Sequence, residues 1–162
     1  MQRRRLFVVG VVILCLACLV TACTKQDRAA ADRAQRLDKL QAAYDAVAAV
    51  ESATKSGVPY TDYAQQVPNA STALRAYEPE DDEAREVASH LAEAVYAYQN
   101  AMRAWGTKFD ECQECAWRKF RNVHPEFAME DVDADYAIGV LWNSAAAKMD
   151  AAREGLAAYK RR

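Results

Sequence analysis

Two cysteines separated by two residues, Cys112-Gln113-Glu114-Cys115, hold more chemical potential than any other short stretch of the chain. Such a pair can close a disulfide, exchange electrons with another dithiol, or supply half of a tetrahedral zinc site. The zinc reading needs more ligands: His124, Glu111 and Glu114 are close in sequence, but the chain has 2 histidines and, after its first 22 residues, no second cysteine pair. Covalent haem requires a histidine directly after the second cysteine, and that position is Ala116. A redox pair needs a thiol whose pKa lies below ~7.5, brought there by positive charge or a helix N-terminus. Asp110, Glu111 and Glu114 oppose a thiolate, and Lys108, Arg118 and Lys119 offset them only in part.

Other candidates have ordinary explanations. The acidic run Glu78, Glu80, Asp81, Asp82 and Glu83 lacks the glycine-centred twelve-residue loop of a calcium site, and a helix N-terminus accounts for it. His90 lies beside an apolar helix position and reads as a surface or partly buried histidine. There is no glycine-rich phosphate loop, nucleophile elbow or His-Glu-x-x-His. The sequence thus offers no catalytic residues, no complete metal site and no motif that calls for a cofactor, and it does not read as an enzyme.

The first 22 residues read as a removable leader. Arg3, Arg4 and Arg5 precede a fifteen-residue apolar run, Leu6 to Val20. As a helix that run spans about 22 Å, short of the ~30 Å hydrocarbon core of a bilayer, so a permanent span is the weaker reading. Val20-Thr21-Ala22-Cys23 resembles the bacterial lipobox, an aliphatic residue, a small residue, alanine and then cysteine. The resemblance implies cleavage before Cys23, two acyl chains on its sulfur and usually a third on its new amine. Two or three chains hold a protein to a bilayer far more firmly than one. Cys15-Leu16-Ala17-Cys18 matches less well, because Cys15 replaces the aliphatic. Thr24 after the lipidated residue resembles the outer-membrane sorting pattern of two-membrane bacteria. The expected domains are therefore a lipoprotein signal peptide, 1–22, and a lipid-anchored domain, 23–162, on the non-cytoplasmic side of the envelope. In that oxidising compartment Cys112 and Cys115 are expected to pair as a structural disulfide.

Composition limits what can position these residues. The 140 residues after the leader carry 18 basic and 23 acidic side chains, which argues against a nucleic-acid partner. Thirty-two of them are alanine, four are glycine and one is isoleucine, a poor supply for strands and tight turns. Helical periodicity is strong instead. Leu37, Leu40, Tyr44, Val47 and Val50 place a first helix over about 27–55, stopped by Gly57 and Pro59. Tyr63, Val67, Ala70, Leu74 and Tyr77 place a second over 60–77, which Pro68 should kink or split. Ala84, Ala88, Leu91, Val95, Tyr98, Met102, Trp105, Phe109 and Cys112 alternate by 4 and 3, predicting a third helix over about 80–121. That helix would be about 63 Å long, so it either overhangs its neighbours or bends near Gly106. The spacing turns Cys112 toward the core, where a thiolate is further disfavoured. Glu130 to Asp135 open a fourth helix on the seam Ile138, Trp142, Ala145, Met149, Ala152, Leu156 and Tyr159. Trp105 and Trp142 are expected in neighbouring core layers, both buried.

The fold class expected is all-α, an antiparallel up-down bundle of three long helices and one shorter one. Gly57-Val58-Pro59-Tyr60 through Tyr63, then Ala94 to Tyr98, Ala101 to Trp105 and Trp142, resemble the Ala-rich helical lipoproteins of bacteria, over most of the domain. The resemblance implies a fold and contributes no site. The expected function is binding or structural interaction at the envelope through a membrane anchor at Cys23, with a protein partner. The alternatives are a periplasmic inhibitor or immunity-type protein, or a small redox or metal-binding protein using Cys112 and Cys115.

Overall fold

A computed structural model describes the side chains of residue 28 and of residues 30–161. The side chains of the leader 1–22 and of the lipidation site Cys23 lie outside the described residues. The chain divides into two units, residues 1–38 and 39–162. Among the described residues five α-helices follow one another: α1 (Gln2–Ser56), α2 (Tyr60–Arg75), α3 (Asp82–Gly106), α4 (Gln113–Val123) and α5 (Ala134–Lys160). Short 3-10 turns occupy Thr107–Phe109 and Pro125–Phe127, and no strand occurs among the described residues. The protein is all-α, and residues 39–162 form a helical bundle.

The ends of the helices follow local chemistry. Gly57 takes a positive φ of 74°, a conformation that side chains resist, and its N–H closes on the Ala53 carbonyl at 3.1 Å to end α1. Asp81 and Asp133 cap α3 and α5, each carboxylate accepting a backbone N–H three residues on at 2.8 Å. The acidic residues after Asp81 complement the helix dipole as expected. Pro68 does not split α2, which runs unbroken through it to Arg75.

The third helix is not the continuous element that periodicity predicts. α3 ends at Gly106, and the chain leaves helical geometry before α4 begins at Gln113. Asp110 accepts the Cys112 N–H at 3.0 Å, a side-chain turn that competes with helix. Phe109 is 65% exposed as a result, and Cys112 is exposed, not in the core. The fourth predicted helix likewise begins later, at Ala134, because Val132 and Asp133 form its lead-in.

Much of the core lies on the predicted seam, although Tyr44, Leu74, Ala88 and Met102 are only half-buried. Leu40, Val47 and Val50 of α1, Tyr63 of α2, Leu91 of α3 and Met149 of α5 are fully buried. Among the described residues α3 packs most extensively on α5 and then on α2. Alanines at 94, 101, 104, 137, 145 and 152 are all fully buried, which lets backbones approach closely. A second cluster gathers Phe120, Phe127, Val132, Ile138 and Leu141, with Trp105, Trp117 and Trp142 packed against it. Trp105 and Trp142 are half-buried, not fully buried, but they do meet, with ring centroids 5.7 Å apart and edge to face.

Candidate functional site

The strongest site candidate lies where α3 gives way to α4. Phe109 stacks on Tyr60 at 4.9 Å, and Tyr60 meets Trp105 edge-on at 5.5 Å, which ties the turn to the start of α2. Lys108 reaches Asp135 at 2.8 Å and fastens the same turn to the first residues of α5. The Gln113 side-chain amide donates to the Lys108 carbonyl at 2.8 Å, folding the start of α4 back onto the turn.

Cys112 and Cys115 are brought together here with their sulfurs at disulfide distance, 2.09 Å, and their Cα atoms 5.2 Å apart. Both are exposed. Cys112 is the N-cap of α4: its sulfur accepts the Cys115 N–H at 3.3 Å, and its carbonyl accepts the Ala116 N–H at 2.9 Å. The core-facing placement that argued for an inert thiol therefore does not hold. Glu114 points its charge into an ion pair with Arg118 at 3.1 Å.

No protein-family model matches the chain, and no curated protein or solved structure is found similar to it. The site must be read from its own geometry.

His124 does not join the cysteines. It is buried, stacked on Phe120 at 4.4 Å, with its Nδ1–H directed at Glu126 at 3.2 Å. Its ring is one layer of an aromatic stack that also includes Trp117 and Phe127. Among the described residues no group of His, Cys, Asp or Glu is arranged to hold a metal ion. The acidic run is spread over separate tasks: Asp81 caps α3, Asp82 pairs with Arg85, and Glu80 faces Lys39.

A surface cleft of about 350 Å³ adjoins the cysteine pair. Gln113 and Glu114, the two residues between the cysteines, form part of its wall, with Trp117 and Arg121 beyond them and Asp131 and Asp133 opposite in sequence on the lead-in to α5. The Arg121 guanidinium carbon sits 5.8 Å from the centre of the Trp117 ring, a cation–π distance. Sequence reading missed this cleft because it took Trp117 and Arg121 for the tail of a long helix. The signal was present: Trp117, Phe120 and His124 recur at three and four residues, and Asp110 precedes them as a helix-starting residue type.

Sequence reading also missed a polar tie within the aromatic core. The Tyr63 hydroxyl, on a fully buried side chain, donates to the Tyr98 carbonyl at 3.0 Å. The same oxygen accepts the Trp142 indole N–H at 3.0 Å. One hydroxyl thus joins α2, α3 and α5. Glu51 is a second omission, a buried carboxylate paired with Lys55 at 2.6 Å and Arg153 at 3.1 Å.

Proposed function

We propose that the protein is a lipid-anchored component of the bacterial envelope, held on the non-cytoplasmic side through Cys23 and acting by binding or structural contact with another envelope protein. The observation that carries this reading is the ordered leader: three arginines, the apolar run Leu6 to Val20, then Val20-Thr21-Ala22-Cys23. The resemblance to Ala-rich helical lipoproteins supports it. Thr24 favours the outer membrane where a second membrane exists. The fifteen-residue run Leu6 to Val20 is short for a permanent span, so attachment is assigned to the lipid; among the described residues no helix is long and apolar enough to cross a membrane.

We read residues 39–162 as an antiparallel up-down bundle, because α1 to α2 and α2 to α3 are joined by short links, 57–59 and 76–81. The contact surface is assigned to the end of the bundle built from 107–136. Four large apolar side chains in that stretch are well exposed: Phe109 at 65%, Val123 at 73%, Met129 at 66% and Tyr136 at 59%.

The test is fractionation of cells making Cys23→Ser. The variant should leave the membrane fraction, whereas wild type stays through a salt wash. A variant that remains in salt-washed membranes ends the anchor reading. For the partner, cross-linking in intact cells should lose its product in the double variant Phe109→Asp/Val123→Asp. An unchanged product would move the contact elsewhere.

A further inference from the structure

The cysteine pair has three features together that a buried structural bridge lacks. Both cysteines are exposed. Cys112 stands at the N-terminus of an 11-residue helix, with its sulfur accepting a backbone N–H. The segment between the cysteines walls a cleft large enough for a few side chains of another polypeptide. That cleft offers an indole ring, a guanidinium, carboxylates and an amide, which suits a polypeptide segment with mixed polar and apolar groups better than a small charged metabolite.

We propose that Cys112 and Cys115 form a redox-active pair that exchanges disulfides with a cysteine-bearing exported polypeptide received by the adjoining cleft. This goes beyond the binding role above by adding covalent chemistry; it rests on the export read from the leader, not on lipidation of Cys23.

The exchange balances as follows. A thiolate of the incoming dithiol attacks the Cys112 sulfur, forming an intermolecular S–S bond. The Cys112–Cys115 bond breaks, and its electron pair stays on the Cys115 sulfur, which takes up a proton. The second thiolate of the incoming polypeptide then attacks its own sulfur in the mixed disulfide. The bond to Cys112 breaks, and Cys112 departs as a thiolate, which takes up the second proton. Two electrons and two protons leave the polypeptide, which becomes a disulfide, and the pair becomes a dithiol.

The geometry favours Cys112 as the partner-facing sulfur. In the second step it must leave with negative charge, and a thiol of lower pKa leaves faster. The Cys115 N–H at 3.3 Å and the positive end of the α4 dipole both stabilise that charge. The nearby carboxylates oppose it less than the sequence suggests. Glu114 is paired with Arg118, which leaves Glu111 and Asp110, whose carboxylate accepts the Cys112 N–H, as the opposing charges.

The experiment uses the full chain in detergent, equilibrated in glutathione redox buffers, acid-quenched and alkylated. Trypsin releases residues 109–118 as one peptide, so mass spectrometry reads this pair apart from Cys15, Cys18 and Cys23. The folded protein should open and close the disulfide in millimolar glutathione within minutes. With a peptide disulfide as probe, Cys115→Ser should trap a mixed disulfide at Cys112 about tenfold faster than Cys112→Ser traps one at Cys115. Circular dichroism should show the helices of both variants retained. A pair that stays closed in millimolar reduced glutathione until denaturant is added overturns the proposal, and so does equal trapping by the two variants.

Discussion

Gly139 and Gly155 both lie inside α5, and the same substitution should act on them with opposite sign. Alanine at either position removes the conformational penalty of glycine in a helix, a gain of about 0.8–1 kcal/mol. At Gly139 a Cβ meets nothing within 4 Å, so the gain stands alone. At Gly155 the Cβ falls 2.9 Å from the Val87 Cγ2 on α3. Carbon atoms in favourable contact stand about 3.5–4.0 Å apart, so the gap must open by roughly 0.6–1 Å. Val87 is 1% exposed and β-branched, and a valine in a helix holds one χ1 rotamer, so it cannot swing aside. Overpacking of this kind costs about 1–3 kcal/mol, which outweighs the propensity gain over most of that range. Gly139→Ala should therefore raise the urea midpoint, read by circular dichroism, and Gly155→Ala should lower it. The difference between the two variants is free of the propensity contribution and should be about 1–3 kcal/mol. Val87→Ala in the Gly155→Ala background should recover part of that loss relative to Val87→Ala alone. Equal upward shifts for both glycine variants would refute the close α3–α5 approach.

Three further outcomes are expected. Tyr63→Phe leaves the Trp142 indole N–H without its acceptor and should destabilise by about 1–3 kcal/mol, with a smaller effect when Trp142 is already phenylalanine; strict additivity in that double-mutant cycle would break the proposed link. Stability should fall as pH rises above 10, since burial raises Tyr63 and Tyr98, and raises Tyr77 to about 12, above their ordinary value of 10.0. The sign follows because the unfolded chain releases those protons first, so the contribution is complete below pH 10 and is lost above it. Urea midpoints that stay level from neutral pH into that alkaline range would count against buried neutral tyrosines. Trp105→Ala should cost about 2–4 kcal/mol, toward the lower end for a large aromatic because the ring is only half-buried, and a chemical-denaturation change under ~0.5 kcal/mol would remove it from the core.

Spacing alone located most of the core because alternating steps of 4 and 3 can be satisfied only by one face of a helix. Leu91, Val95 and Tyr98 are buried on α3, and Met149, Ala152, Leu156 and Tyr159 on α5, where the pattern put them. The same rule misled at Phe109 and Cys112. Phe109 and Cys112 keep the 4-3 spacing although both lie in the interruption between Gly106 and Gln113, where the helix has stopped. Periodicity up to Cys112 carries no record of that break. The information sits instead in Asp110, whose side chain takes the Cys112 N–H, and in Gly106, whose backbone comes close to the Tyr60 hydroxyl. The cysteine pairing was legible from residue types, but its exposure was not, since exposure depends on where α4 begins. Tyr63 was read as an apolar seam residue. Its hydroxyl bond to Trp142 joins residues 79 apart in the chain, and no local pattern reports it.

Asp81 gives the molecule an uncommon kind of fastening. One of its carboxylate oxygens closes the first turn of α3, and the other accepts the Tyr159 hydroxyl at 2.9 Å, a few residues before the chain ends. Terminal turns usually open independently, as the least protected part of a helix. Here the last turn of α5 cannot peel away without disturbing the start of α3, a helix begun 78 residues earlier. In hydrogen-exchange terms, the amides around Leu156–Tyr159 and those around Ala84 belong to one opening event. The C-terminal end therefore reports on the middle of the chain, and a label placed there would sense the unlatching of α3.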